Sequence, residues 1–232
     1  ANPITKHIYA ATNLKLNDSK KVLEILEPGI ELSKVPATLA LYGLAAISDK
    51  QFVKGENALL KAIEIEPSNI HVRLALAGFY RNGPIKNEKK ELEQLQAAFK
   101  VMPNDKQVLK EMVSYQLRFK GVKKAGQFID NVLVNNPDDF ASNLIAGYFM
   151  VNQNDLSKAL KSFTKAANAK TDEKDRLTAL FAKGKTEISL KKFSDAEQTF
   201  NDVIHISSEN EPGYKGLYSV YLLTKGVDIA ND

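Results

Sequence analysis

Residues 140–169 have the sequence FASNLIAGYFMVNQNDLSKALKSFTKAANA, which contains the clearest pattern in the chain. Gly147 is followed twelve residues later by Ala159, and then by Phe163 and Ala166. Small residues at these places, with an aromatic residue between them, suit two short helices that cross closely and run antiparallel. The polar run 152–155 is the expected turn. The stretch therefore predicts one helix–turn–helix unit.

The unit recurs along the chain. Six equivalent positions can be aligned along the chain, at steps of 34, 36, 34, 37 and 34 residues. In order, they are Gly43, Ala77, Val113, Gly147, Gly184 and Tyr218. Pro67, Pro103 and Pro137 close three of these units at equivalent places. A fixed period of this length predicts an array of stacked helical repeats.

A helix–turn–helix period of 34 residues, with small, aromatic and small residues near its end and then proline, resembles the tetratricopeptide repeat (TPR). The resemblance covers nearly the whole chain. It implies an all-α fold, a right-handed α-solenoid of antiparallel helix pairs with about six repeats plus a terminal helix. No unit has the consensus tryptophan, and the longer steps at 82–84 and 171–175 are interpreted as loop insertions.

The predicted organisation is a single solenoid over 1–232, since each repeat in such an array contacts its neighbours. Its predicted parts are a degenerate first helix pair at 1–35, repeats at 36–69, 70–105, 106–139, 140–173 and 174–210, and a terminal helix with a tail at 211–232. Pro36 suits the first turn of a helix. Asp138 and Asp139 suit a helix N-terminus, and Ser194 with Glu197 has the spacing of a capping box that starts the next helix.

Composition excludes several classes of protein. The chain has 44% hydrophobic residues, enough for a packed core, and its net charge of +4 comes from interspersed Lys and Glu/Asp. A nucleic-acid binder concentrates its basic residues on one face. The densest basic group, at Lys86, Lys89, Lys90, Lys123 and Lys124, is therefore interpreted as a solvated rim, and no nucleic acid is expected. No apolar stretch is long enough to span a bilayer.

Catalytic and metal-binding patterns are nearly absent from the sequence. The chain has no cysteine. His7, His71 and His205 lie in different repeats without a ligand or nucleophile at motif spacing, so they are interpreted as surface or packing residues. Gly184 and the two residues after it match the end of a phosphate-binding loop, but residue 179 is alanine where that motif needs glycine. We expect no enzyme activity, no cofactor and no metal.

The resemblance implies that the first helix of each pair lines a concave groove in which peptides bind. The family's groove-facing places hold the candidate partner-binding residues, namely Leu74, Arg81, Lys110, Ser114, Arg118, Leu144, Tyr148, Asn152, Phe181 and Lys185. Further residues at these places include Gln107, Leu117, Ala141, Val151 and Thr178. This groove is apolar at its ends and basic in the middle. It lacks the set of Lys, Asn and Arg residues that resembles the carboxylate clamp of chaperone-binding TPR domains.

An extended protein segment with apolar anchors and a central acid matches such a groove, because anchors give affinity and a charge sets the register. The alternative is that the apolar groove residues only pack against neighbouring helices. The function predicted is a non-enzymatic interaction scaffold, with a protein or peptide as partner.

The last helix has an apolar stripe that includes Tyr214, Tyr218 and Tyr221. Either it covers the previous repeat, or it awaits a neighbour, through further repeats or self-association. The alternative function is therefore a structural segment of a longer array. The absence of an initiator Met suggests a processed or excised chain. Its repeats are similar in style to bacterial TPR lipoproteins of exopolysaccharide and PEP-CTERM sorting systems, which implies an extracytoplasmic, periplasmic or envelope-associated location.

Overall fold

A computed structural model describes residues 3–84, 86–209 and 211–226. Within these residues the secondary structure is helical: thirteen α-helices and one short 3₁₀ helix at Ile30–Leu32. The helices group into two units, Ala1–Pro103 and Asn104–Asp232. The prediction of a single continuous solenoid stays a prediction.

Unit 1 contains six α-helices within the described residues. These are α1 (Pro3–Lys15), α2 (Ser19–Leu26), α3 (Pro36–Ser48), α4 (Phe52–Ile65), α5 (Ile70–Asn82) and α6 (Glu88–Val101). Helix α3 packs on α4, and α5 packs on α6. As predicted, Pro36 opens α3, where its missing N–H leaves no hydrogen bond unmade.

Unit 2 contains seven α-helices within the described residues. These are α7 (Lys106–Phe119), α8 (Gly121–Asn135), α9 (Phe140–Asn152), α10 (Leu156–Asn168), α11 (Glu173–Ser189), α12 (Phe193–Ile206) and α13 (Glu211–Lys225). The pairs α7–α8, α9–α10 and α11–α12 form consecutive repeats, and α13 packs on α12. Asp139 caps α9 by accepting a hydrogen bond from the backbone N–H of Ser142, which confirms the predicted helix start.

A small residue at the place of Gly147 in a repeat permits close helix crossing. A Cβ built on Gly147 would collide with the ring of Phe163, which is 1% exposed and belongs to α10. In the same way a Cβ on Gly43 would lie 2.8 Å from Leu59, and one on Gly184 would lie 2.7 Å from Phe200. The small–aromatic–small pattern therefore describes the packing between the two helices of a repeat, as predicted.

Several turns between paired helices contain a residue with a left-handed backbone conformation, which the sequence pattern does not indicate. Asn154 and Lys191 both have φ of 59°. In the second of these turns the Lys192 N–H donates to the Glu187 carbonyl at 2.9 Å, and the Lys191 N–H donates to the Ile188 carbonyl at 2.9 Å. Both bonds belong to a Schellman-type ending, which satisfies carbonyls at the end of α11.

This turn also corrects the predicted start of α12. The helix begins at Phe193 with Lys192 at the N-cap, and no side chain caps it. The capping box predicted at Ser194 and Glu197 is wrong, because the Schellman turn brings the chain into the helix before Ser194 is reached.

Candidate functional site

The described residues of unit 2 enclose a cavity of about 750 Å³. Thirteen residues line it: Lys106, Gln107, Lys110, Val113, Ser114, Leu117, Arg118, Leu144, Ile145, Tyr148, Phe149, Asn152 and Thr178. They come from α7, α9 and α11, which are the first helices of three consecutive repeats. We call this cavity the unit 2 groove. Its volume lies in the range usual for ligand-binding pockets.

Helix α7 provides the polar wall of the groove. Lys110, Ser114 and Arg118 follow each other at four-residue spacing and so form one stripe along the helix. Lys110 and Arg118 are exposed, and Ser114 is half-buried. Leu117 adds an apolar group beside Arg118. The stripe therefore presents two cations with a hydroxyl between them.

Helix α9 provides the apolar wall. Leu144, Tyr148 and Asn152 also follow each other at four-residue spacing. Leu144 is only 2% exposed and forms part of the floor, whereas Tyr148 is 44% exposed. The Tyr148 ring packs edge-on against Phe163, with ring centroids 5.2 Å apart. Because Phe163 is fixed beneath Gly147, the packing within the repeat also supports a groove side chain.

One end of the groove is tied by an ion pair. Lys106 in the first turn of α7 donates to Asp175 in the first turn of α11, with an Nζ–Oδ1 distance of 2.6 Å. The same ammonium lies 5.6 Å from the ring centre of Phe140, at the start of α9. The first turns of α7, α9 and α11 therefore meet at this end. Arg118 lies near the C-terminal end of α7, and Asn152 lies at the C-terminal end of α9. Both line the other end of the groove, so α7 and α9 run in the same direction.

The charges of the lining have one sign. Lys106, Lys110 and Arg118 line the groove, and none of the thirteen lining residues is Asp or Glu. Asp175 neutralises Lys106, whereas the side chain of Lys110 has no ion-pair or hydrogen-bond partner among the residues that the structure describes. Burial raises the pKa of Tyr148, against an opposing effect of Lys106, so its hydroxyl stays protonated at neutral pH. The groove therefore offers cations and donors over an apolar floor.

Six of the ten predicted binding residues meet in this groove, namely Lys110, Ser114, Arg118, Leu144, Tyr148 and Asn152. Phe181 and Lys185 lie on α11 but do not line it. Phe181 packs on Phe200 with ring centroids 6.0 Å apart, and Lys185 lies 5.4 Å from the ring centre of Phe181. Leu74 and Arg81 lie on α5 of unit 1. A binding role for all ten residues stays a prediction.

The structure adds lining residues that the predicted set lacks. Three of the added lining residues were at predicted groove-facing places of the repeat, namely Gln107, Leu117 and Thr178. Four others were not at such places, namely Lys106, Val113, Ile145 and Phe149. Conversely, Ala141 stood at such a place and is buried outside the lining. Repeat position identified the stripe itself. It could not identify neighbours one residue away, because their exposure depends on the crossing of α7 and α9.

The described residues also limit other kinds of site. Among them, no group of three or more His, Asp or Glu side chains could hold a metal ion. In the same part of the chain, every helix is too short or too polar to cross a membrane.

No protein-family model matches the sequence, and no curated protein matches it. Solved structures do match. The chain is similar to a chain of the APC/C hetero-tetramer Cut9–Hcn1, with a TM-score of 0.56 and 14% identity over 97% of this chain, and it spans 44% of that chain. It is also similar to PilF of Pseudomonas aeruginosa, with a TM-score of 0.55 and 12% identity, covering 91% of this chain and 94% of PilF.

Two further matches have similar values. PilW, a widely conserved type IV pilus biogenesis factor, gives a TM-score of 0.54 at 14% identity and covers 95% of this chain and 99% of its own. A tetratricopeptide repeat protein of Parabacteroides merdae gives 0.54 at 13%, covering 97% and 88%. The chain therefore has the all-α helical-repeat fold of TPR proteins, which confirms the predicted fold class. The similarity in style to PEP-CTERM lipoproteins and the extracytoplasmic location stay predictions.

Proposed function

We propose that this protein is a non-enzymatic interaction scaffold and that the unit 2 groove binds a segment of a partner protein. The observation that supports the proposal is the lining itself: an apolar floor, three cations and no carboxylate around a cavity of about 750 Å³. A surface built only to stabilise the repeats would supply a partner for Lys110 from a neighbouring helix, but the Lys110 side chain has none among the described residues.

The lining favours a segment that contains both apolar and acidic side chains. Leu117, which is half-buried, and Tyr148, which is 44% exposed, offer apolar contact area, which gives affinity when it is removed from water. Lys110 and Arg118 would attract carboxylates and set the position of the segment, because charge complementarity favours specificity over raw affinity. Nucleic acid is a poorer match, because the cations flank an apolar floor and do not form a broad basic face.

The test uses tryptophan-containing peptides, because the protein has no tryptophan and the peptide emission reports binding without background. One probe contains two leucines and two aspartates, a second replaces both aspartates with asparagine, and a third replaces both leucines with serine. We expect the first probe to bind most tightly and its affinity to fall with added salt.

The matching variant is Lys110→Glu/Arg118→Glu. We expect it to weaken binding of the first probe by about 100-fold, because like charges then oppose each other in the groove. The control is Lys123→Glu/Lys124→Glu on α8, which changes the net charge equally at two exposed lysines of the same unit outside the groove lining. Equal losses in both variants, or no binding of any probe by the unaltered protein, would contradict the proposal.

A second candidate interface lies on α13. Tyr214 is 49% exposed and Tyr218 is 42% exposed. Tyr218 takes the place where Gly147 and Gly184 meet the second helix of their own repeats. We propose that this face receives another helix, either from a second copy or from further repeats. Sedimentation at increasing concentration tests the second-copy form: we expect self-association that Tyr218→Glu abolishes, and a monomer at all concentrations would contradict it.

A further inference from the structure

Within the described residues, unit 1 contains a cavity of about 290 Å³ that the proposed function does not use. Helix α1, the end of α2, the connection 28–35 and the start of α3 enclose it, and we call it the α1–α3 cavity. Six of its eleven lining residues have apolar side chains, namely Ile25, Leu26, Pro28, Ile30, Leu32 and Val35. Its volume lies at the lower end of the range for ligand pockets, so it suits a small ligand.

The apolar lining of the α1–α3 cavity is buried at one end and uncovered at the other. Leu26 is 6% exposed and Ile30 is 9% exposed, whereas Val35 is 54% exposed and Leu32 is 87% exposed. An apolar ligand that entered the cavity would remove part of the Leu32 and Val35 surface from water, which favours binding.

Helix α1 supplies a polar part of the lining. The Lys6 side chain is half-buried, and its ammonium has no ion-pair or hydrogen-bond partner among the described residues. The neighbouring His7 is half-buried too, and its Nδ1 lies 3.4 Å from the Thr38 hydroxyl oxygen. Its Nε2 has no partner in the same part of the chain. With Thr38 donating to Nδ1, the ring proton lies on Nε2, so Lys6 and His7 both present N–H donors at the cavity.

The lining contains no carboxylate that could pair with these donors, because none of the eleven residues is Asp or Glu. The two acids of the adjoining segment, Glu27 and Glu31, line a different cavity of unit 1. Glu27 also accepts hydrogen bonds from Tyr42 and Lys54. The α1–α3 cavity therefore combines donors with apolar walls and leaves the negative charge to a ligand.

From these observations we infer that the α1–α3 cavity binds a small aliphatic monocarboxylate. Its hydrocarbon chain packs on Leu26, Ile30 and Leu32, and its carboxylate accepts hydrogen bonds from Lys6 and His7. Hydrogen bonds between ionised groups are the stronger ones, so a carboxylate gains more here than an alcohol does. A second carboxylate on the ligand would lie against the apolar walls, where an unpaired charge is costly.

The first experiment compares small ligands by calorimetry with the full chain. The probes are hexanoate, octanoate, 1-octanol and octylamine. We expect octanoate to bind about tenfold more tightly than hexanoate, because two further methylene groups are buried. We also expect it to bind at least about tenfold more tightly than octanol or octylamine, because only the carboxylate pairs with Lys6. Equal binding of octanoate and octylamine, or no binding of octanoate, would overturn the inference.

The matching variant is Lys6→Met, which removes the ammonium and keeps an apolar stem. We expect it to weaken octanoate binding about tenfold and to leave octanol binding unchanged. The control is Lys20→Met, which removes an exposed lysine of the same unit outside the lining. Equal effects of the two variants on octanoate binding would overturn the inference. Helical circular dichroism of both variants separates lost binding from lost folding.

A third comparison separates this site from the unit 2 groove, which also combines cations with apolar side chains. We expect Lys110→Glu/Arg118→Glu to bind octanoate as the unaltered protein does. Leu32→Ser should weaken octanoate binding about threefold, whereas Val53→Ser, at a 73% exposed position outside the lining, should not. A loss in Lys110→Glu/Arg118→Glu with none in Lys6→Met would place octanoate in the unit 2 groove and overturn the inference. The two sites share no residue, so failure of the proposed function would leave this result unaffected.

Discussion

Unit 1 pairs its charges across repeats, whereas unit 2 presents cations along its groove. In unit 1, Glu56 accepts hydrogen bonds from Tyr80 and from Lys90, both at 2.8 Å. Glu27 likewise accepts from Tyr42 at 3.0 Å and from Lys54 at 2.7 Å, beside a cavity of about 250 Å³. Each carboxylate joins side chains that are distant in sequence.

The groove of unit 2 differs because its lining contains no carboxylate. The Lys110 side chain has no partner among the described residues, although it belongs to the same kind of repeat. The same kind of repeat therefore pairs a charge where a neighbouring repeat supplies the opposite charge, and leaves the Lys110 side chain unpaired among the described residues; under the proposed function, that charge meets the ligand.

The support beneath the unit 2 groove depends on Gly147. We expect Gly147→Val to lower the free energy of unfolding by about 3 kcal/mol, because its side chain would displace the buried Phe163 ring. Peptide binding should weaken too, because Phe163 supports Tyr148. Urea unfolding measures the first effect and probe fluorescence the second.

Gly126→Ala is the control for this substitution. A Cβ at Gly126 meets only Phe149, at an ordinary 3.7 Å, so we expect a gain of about 0.5 kcal/mol from the helix preference of alanine. If Gly126→Ala lowered the free energy of unfolding as much as Gly147→Val, the close contact of Gly147 with Phe163 would not be the cause of the loss.

Unit 2 also contains a paired lysine, Lys183, outside the groove lining. It allows the effect of ion pairing on stability to be measured in the same unit. Lys183 donates to Thr199 at 2.7 Å and pairs with Glu187 at 3.1 Å, and Glu187 is 2% exposed. We expect Lys183→Met to cost about 2 kcal/mol, because it leaves a buried carboxylate without its cation.

The triple variant Lys183→Met/Glu187→Leu/Thr199→Val removes the whole group. We expect it to recover most of the stability, since a buried ion pair is often replaceable by apolar side chains. Thermal unfolding of the two variants tests this, and equal stability of Lys183→Met and the unaltered protein would show that the pair contributes nothing.

The pairing in unit 1 predicts sensitivity to acid. Burial opposes ionisation of Glu56, but the hydrogen bonds from Lys90 and Tyr80 outweigh it and lower its pKa below the usual 4.5. A lowered pKa stabilises the folded state above about pH 4.5, and this contribution is lost as the pH falls through the folded-state value.

We therefore expect Glu56→Gln to lower stability at pH 7 by about 1 kcal/mol and to lower it less near pH 3. Denaturant unfolding at both pH values measures this, with Glu64→Gln, an exposed position on the same helix, as control. A constant difference between Glu56→Gln and the unaltered protein at both pH values would contradict the assigned role.

The smallest effect is expected at the exposed ion pair at the end of the groove. Lys106→Met removes a bond to Asp175 in which the lysine side chain is 48% exposed. Exposed pairs contribute little, so we expect a change below about 0.5 kcal/mol and less than about a twofold change in peptide affinity. A tenfold loss of affinity would show that Lys106, and not only Lys110, meets the ligand.

The sequence predicted most of the repeat packing because that packing rests on local spacing. The 34-residue period and the sequence spacing of Gly147, Ala159, Phe163 and Ala166 follow from how closely two helices can cross. The prediction was wrong at the start of α12, because a Schellman turn depends on backbone hydrogen bonds that residue type signals only weakly. Lys191 adopts the left-handed conformation, although glycine is the usual residue there.

For the groove residues too, local helix spacing predicts one part and contacts between distant residues determine the other. A four-residue step on a helix keeps side chains on one face whatever the helix packs against, so the stripes containing Lys110 and Tyr148 were predictable from the sequence. Whether a cation on such a face meets a carboxylate depends on residues far along the chain, such as Asp175 opposite Lys106, 69 residues away. The fold alone brings those residues together, and it therefore determines which charges in the groove are paired within the chain.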